Sequence, residues 1–162
     1  MTPSRRALLM SMVSAALSLN TKFAIARTDI ASDNLNRHGI TLAAFADTLL
    51  PDDGKTPAAS TLGVDIELLE FISESEPFTR MTHLVCDWLD TIGDQPFAEL
   101  NPQERLHIVD YMSAAERDVL EGRFYHLVRL LAIEFYYSRP EALAGLDLAV
   151  APQPVGYLPP WS

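Results

Sequence analysis

Asn101-Pro102-Gln103-Glu104-Arg105-Leu106-His107-Ile108-Val109-Asp110-Tyr111-Met112-Ser113 is the best punctuated stretch of this 162-residue chain. Asn101 has a short side chain able to accept from the free N–H groups of a first turn. Pro102 suits the first helical position, and Glu104 can reach back to close a capping box. The spacing predicts a helix from Pro102 to about Ser113. Downstream, Leu120, Phe124, Leu127, Val128, Leu131 and Phe135 recur at steps of three and four, which predicts the longest helix, starting near Ala115 and stopped by Pro140. Upstream, Met81, Leu84, Val85, Trp88, Leu89 and Ile92 form a similar stripe behind Pro77, with Gly93 as its end.

Two shorter helical patterns come first, Thr41 to Leu50 closed by Pro51, and Leu62 to Ser73 with Leu68, Leu69 and Ile72 paired on one face. Between them Pro51-Asp52-Asp53-Gly54-Lys55-Thr56-Pro57 is a run of turn formers. No segment alternates apolar and polar residues in the manner of a half-buried strand. The chain therefore reads as all-α, a small bundle of about five helices. Residues 27–40 are a polar lead-in, and residues 145–162 are an apolar, nearly uncharged tail with prolines at 152, 154, 159 and 160. Such a tail is no helix, and it must lie against its own bundle or a partner.

The N-terminal end carries an address. Arg5-Arg6 follows Ser4, the apolar run Ala7–Leu19 is too short for a membrane span, and Ala24-Ile25-Ala26 is a small-residue cleavage site. Residues 1–26 read as a twin-arginine export signal, with Arg5, Arg6, Ala24 and Ala26 as its working residues. An ordinary secretory signal with a chance arginine pair is the competing reading. Cleavage removes Arg5, Arg6 and Lys22 and no acid, which takes the formal net charge from −10 to −13 over a single domain at 27–162. That charge repels nucleic acid and anionic lipid, and favours a neutral or basic protein partner. Cys86 is the one cysteine, so there is no internal disulfide, and it reads as a small buried apolar residue.

The chemical motifs are thin. Glu104 and His107 have the Glu-x-x-His spacing of a di-iron ligand pair, but the motif occurs once and Glu104 already serves the cap. His83 and Asp87 are four apart on one helix, which suits a surface hydrogen bond. Gly54-Lys55-Thr56 has the ending of a phosphate-binding loop, with Leu49 where its first glycine belongs. Phe135-Tyr136-Tyr137 with Tyr157 and Trp161 suits a core or an interface better than a platform for bases. No catalytic, cofactor-binding or metal-binding residue is assigned.

The order of pieces carries a resemblance. Leu50-Pro51-Asp52-Asp53, Thr56-Pro57-Ala58-Ala59, Leu62-Gly63-Val64, Phe97-Ala98-Glu99-Leu100-Asn101-Pro102-Gln103-Glu104-Arg105, Tyr136-Tyr137-Ser138-Arg139-Pro140 and Gly156-Tyr157 resemble the gluconate 2-dehydrogenase subunit 3 family. The ending Leu158-Pro159-Pro160-Trp161-Ser162 departs from it. The resemblance implies a small subunit without an active site. Its implied partners are an FAD-dependent large subunit of the glucose-methanol-choline type and a multihaem cytochrome c subunit, so FAD and haem c are expected in those chains. It also implies that the small subunit escorts the flavoprotein through the twin-arginine translocase to the periplasm, and touches the membrane only through the complex. Tyr157, Pro159, Pro160 and Trp161 are the expected partner contacts. A free-standing periplasmic adaptor is the alternative, and a metal enzyme through Glu104 and His107 is a third.

Overall fold

The computed structural model describes residues 38–144 and residue 146. Arg5, Arg6, Ala24, Ala26, Tyr157, Pro159, Pro160 and Trp161 lie outside the described residues. Within them the chain forms α1 (Gly39–Leu49), α2 (Val64–Ser73), α3 (Glu76–Leu89), α4 (Pro102–Ala114), α5 (Leu120–Tyr136) and α6 (Pro140–Ala144), with 3-10 turns at Ser60–Leu62 and Phe97–Glu99. No strand occurs among the described residues, and five of the helices are the five expected.

The capping box closes as the sequence implies. Asn101 Oδ1 accepts from the N–H groups of Gln103 and Glu104, both at 3.0 Å, and Asn101 N donates to Glu104 Oε2 at 3.1 Å. Helix α4 holds the end of the bundle against α1 and α5. Helix α1 touches α2, α3, α4 and α5, and α5 touches α1, α2, α3 and α4, so these two form the centre. Phe45 of α1 is fully buried there, with its ring 5.3 Å from Phe124 and 6.2 Å from Phe97. Truncating such a residue to alanine costs about 3–5 kcal/mol, through lost burial and the cavity left behind.

Several boundaries differ from the sequence expectation, among them the start of α2, which lies at Val64 because Leu62 closes the preceding 3-10 turn. Helix α1 starts at Gly39, so Gly39 and Ile40 belong to it and not to the lead-in. Helix α5 starts at Leu120 rather than near Ala115, because Ala115 is extended and residues 115–119 form a turn held by α5 itself. The buried Arg123 donates from Nη2 to the Asp118 carbonyl at 3.1 Å and from Nε to the Arg117 carbonyl at 3.4 Å. Gly122 completes that clamp, since a Cβ built on it would stand 2.3 Å from the Glu116 carbonyl oxygen.

Helix α3 ends at Leu89, short of Gly93. Thr91 Oγ1 donates to the Asp87 and Trp88 carbonyls, and the Asp90 carboxylate turns to Thr41 Oγ1 at 2.9 Å and to Phe97 N at 3.3 Å. The buried residues of α3 are Phe78, Met81, Thr82, His83, Val85, Cys86 and Leu89, which leaves Leu84 42% and Ile92 45% exposed. Finally, Pro140 both follows α5 and opens α6, whose Ala142 is fully buried.

Candidate functional site

Three of the sequence motifs meet at one end of the bundle. The turn-forming loop 51–57 leaves α1 and is tied at its base by Asp47, whose carboxylate accepts from Ser60 N and Ser60 Oγ, both at 2.7 Å. At its far side the Tyr136 hydroxyl donates to the Pro57 carbonyl oxygen at 2.7 Å, with Tyr136 only 2% exposed. Arg139 Nη2 stands 3.1 Å from Glu67 Oε1 and fastens the α5–α6 corner to α2. Between the loop and α2, Gly63 takes φ 72°, a left-handed conformation that a side chain resists.

The loop's own carboxylates are turned inward on its backbone. Asp52 Oδ1 accepts from Gly54 N at 2.7 Å. Asp53 Oδ1 accepts from Thr56 N at 2.7 Å, Lys55 N at 2.9 Å and Thr56 Oγ1 at 3.1 Å. The Thr56 N–H, followed by that of Lys55, holds the Asp53 carboxyl below the usual aspartate value of 3.8. Gly54-Lys55-Thr56 is thus part of a self-capped turn, preceded by a helix, and lacks the strand and glycine of a phosphate-binding loop.

Two of the four histidines, His38 and His83, meet in the interior, and His107 and His126 lie on other helices. His83 is 5% exposed and His38 2%, with ring centroids 5.0 Å apart edge to face, and Asp87 Oδ1 lies 3.4 Å from His38 Nε2. His83 is thus buried rather than at the surface as expected, and the start of α1 over that side of α3 brings His38 to Asp87. His107 is exposed on α4, and His126, beside Tyr125, is held below the usual histidine value by desolvation and then by Arg117 and Arg129. Glu104 is engaged in the cap. Burial, with Asp90 and Asp87 adding to it, pushes the Cys86 thiol far up, so it stays a neutral apolar residue at physiological pH.

In the aromatic run, Phe135 meets Phe71 edge to face at 6.0 Å, Tyr136 serves Pro57, and Tyr137 is 39% exposed. A second feature escaped the sequence reading. Trp88 of α3 and Tyr111 of α4 stack with ring centroids 6.4 Å apart, and Tyr111 remains 56% exposed. Beside them, α4 and the turn after α3 enclose an open groove of about 970 Å³, whose lining includes Ile92, Asp94, Glu99, Glu104, His107 and Ile108. The near absence of amphipathic order along α4, with Leu106 and Tyr111 exposed and Val109 and Met112 buried, was the signal that could have revealed this face.

A family model described as gluconate 2-dehydrogenase subunit 3 matches residues 37–157. The chain belongs to the gluconate 2-dehydrogenase subunit 3 family. Comparisons with curated proteins and with solved structures returned no match. The family match embraces both the loop 51–57 and the Tyr136-to-Pro140 corner that the fold brings together, and it covers every described helix from α1 to α6. Among the described residues, no helix of this subunit 3 member is long and apolar enough to cross a membrane.

Proposed function

We propose that this chain is a non-catalytic small subunit that stabilises the flavoprotein of a membrane-associated sugar, sugar-acid or polyol dehydrogenase and escorts it to the periplasm. The observation that carries the reading is the family match, whose description names a subunit of a dehydrogenase. In this reading the large subunit is an FAD-dependent protein of the glucose-methanol-choline type, and a multihaem cytochrome c passes electrons onward. Haem c attached through two thioethers needs two cysteines, whereas this chain has Cys86 alone, fully buried. In this reading the haem belongs to the cytochrome partner.

The distribution of polar groups agrees with an accessory role. Asp52, Asp53, Glu104 and Tyr136, four polar side chains of the sequence motifs, are engaged in hydrogen bonds within the fold. Arg5 and Arg6 supply the export signal, and the assembled complex sits at the outer face of the cytoplasmic membrane without an anchor from this chain. Affinity purification of the tagged chain from the periplasmic fraction tests this. A flavin-containing large subunit should come with it, in proportion, and its absence would remove the basis of the reading.

A further inference from the structure

Leu84 and Trp88 lie four residues apart on the outer side of α3, and the Trp88 ring stacks on Tyr111. On α4, Glu104, His107, Ile108 and Tyr111 share one face by their spacing, which sets Tyr111 one turn from Ile108 at the groove that Ile92 also lines. Leu84, Ile92 and Tyr111 are each more than two-fifths exposed. Exposed aromatic and aliphatic residues in a continuous strip mark an interaction surface rather than a scatter of surface leucines.

Charge selects what covers it. The groove lining includes Asp94, Glu99 and Glu104 and contains neither lysine nor arginine. A second copy would set these carboxylates against their own kind on a chain of net charge −10, and anionic lipid or nucleic acid is repelled in the same way. A protein face with an apolar centre and a basic edge satisfies both halves of the surface.

We propose that the Leu84–Trp88–Tyr111 strip and its acid-lined groove are a docking seat for the flavoprotein subunit, which presents an apolar patch flanked by lysine or arginine. The assignment rests on the reading of this chain as a dehydrogenase subunit. The apolar strip supplies affinity, and the groove supplies orientation and a salt-dependent encounter.

The test titrates the purified full-length chain against the purified flavoprotein. Leu84→Ser with Tyr111→Ser, and separately Asp94→Lys with Glu99→Lys, should each weaken binding by about ten-fold or more. Ile66→Ser, an equally exposed position on α2, should leave it within about two-fold, as scattered surface substitutions do. Added salt should weaken the native pair and have little effect on the Asp94→Lys, Glu99→Lys variant. All substituted side chains are exposed, and unchanged helical circular dichroism checks the fold. Equal affinity in both double variants overturns the seat while leaving the subunit role intact, and failure of the native chain to bind any flavoprotein overturns both. If the variants bind normally and, in a Trp161→Phe background that leaves Trp88 as the sole tryptophan, its emission changes on removing residues 147–162, the chain's own tail covers the strip and the proposal is wrong.

Discussion

Tyr136, near the C-terminus of the longest described helix, donates its hydroxyl hydrogen to the Pro57 carbonyl oxygen at 2.7 Å, across a sequence separation of 79 residues. This bond joins the Tyr136-to-Pro140 corner to the end of the 51–57 loop, two motifs that are remote in the chain. The C-terminal side of the loop is therefore held twice, at Pro57 by Tyr136 on α5 and at Ser60 by Asp47 on α1.

Tyr136→Phe should cost about 1–3 kcal/mol, because it keeps the packing and leaves the Pro57 carbonyl without its donor. Urea unfolding checks the stability loss. Amide exchange should rise in residues 51–57 and stay unchanged in α4, which the bond does not touch.

Gly122→Ala should destabilise the domain despite the better helix propensity of alanine. The added Cβ meets the Glu116 carbonyl oxygen at 2.3 Å and the Ala115 carbonyl oxygen at 2.9 Å, so the turn must move. Overpacking of about 1–3 kcal/mol outweighs a propensity gain of about 1 kcal/mol at most. A melting temperature at or above that of the native chain would show that the 115–119 turn yields freely.

Asp53 gives the loop an acid-side weakness. Its folded carboxyl titrates below the ordinary value of 3.8, because the N–H groups of Thr56 and Lys55 bond the charged form. Its contribution is therefore complete above the unfolded value, about 3.9, and is lost as the pH falls through the lower folded value. A carboxyl carbon-13 titration should place the Asp53 midpoint below 3.8, and Asp53→Asn should remove its share of the acid-side decline.

The apolar tail offers a separate prediction. Trp161→Ala, or deletion from Gly156, should weaken flavoprotein capture while leaving the helical circular dichroism nearly unchanged, because aromatic anchors stiffened by Pro152, Pro154, Pro159 and Pro160 dock at low entropic cost. Loss of helix together with loss of partner would instead assign the tail to the bundle itself.

Much of the fold is legible where local chemistry is self-sufficient. Asn101, Pro102 and Glu104 mark a helix start without outside help, and Phe124, Val128 and Leu131 mark the inner face of α5 because they are all fully or nearly buried. Periodicity failed on α3, where two apolar faces lie side by side. It selected Leu84 and Ile92 along with Met81 and Val85, but the core takes Phe78, Thr82 and Cys86 instead. Nothing local says that His38 will meet Asp87 or that Arg123 will bind carbonyls of the preceding turn, since those contacts exist only once α1 and α5 are packed. The Trp88–Tyr111 strip was hidden for the same reason, being made by two helices whose sequences say nothing of one another.

The escort role stands or falls on one measurement, the amount of flavoprotein dehydrogenase in the periplasm of cells carrying Arg5→Lys with Arg6→Lys. Lysine keeps the charge but lacks the planar guanidinium fork that the translocase reads in this account. The account predicts that both this chain and the flavoprotein stay in the cytoplasm, and that periplasmic dehydrogenase activity falls together with the periplasmic level of this subunit. Full periplasmic activity of the flavoprotein while this chain is retained inside would contradict it.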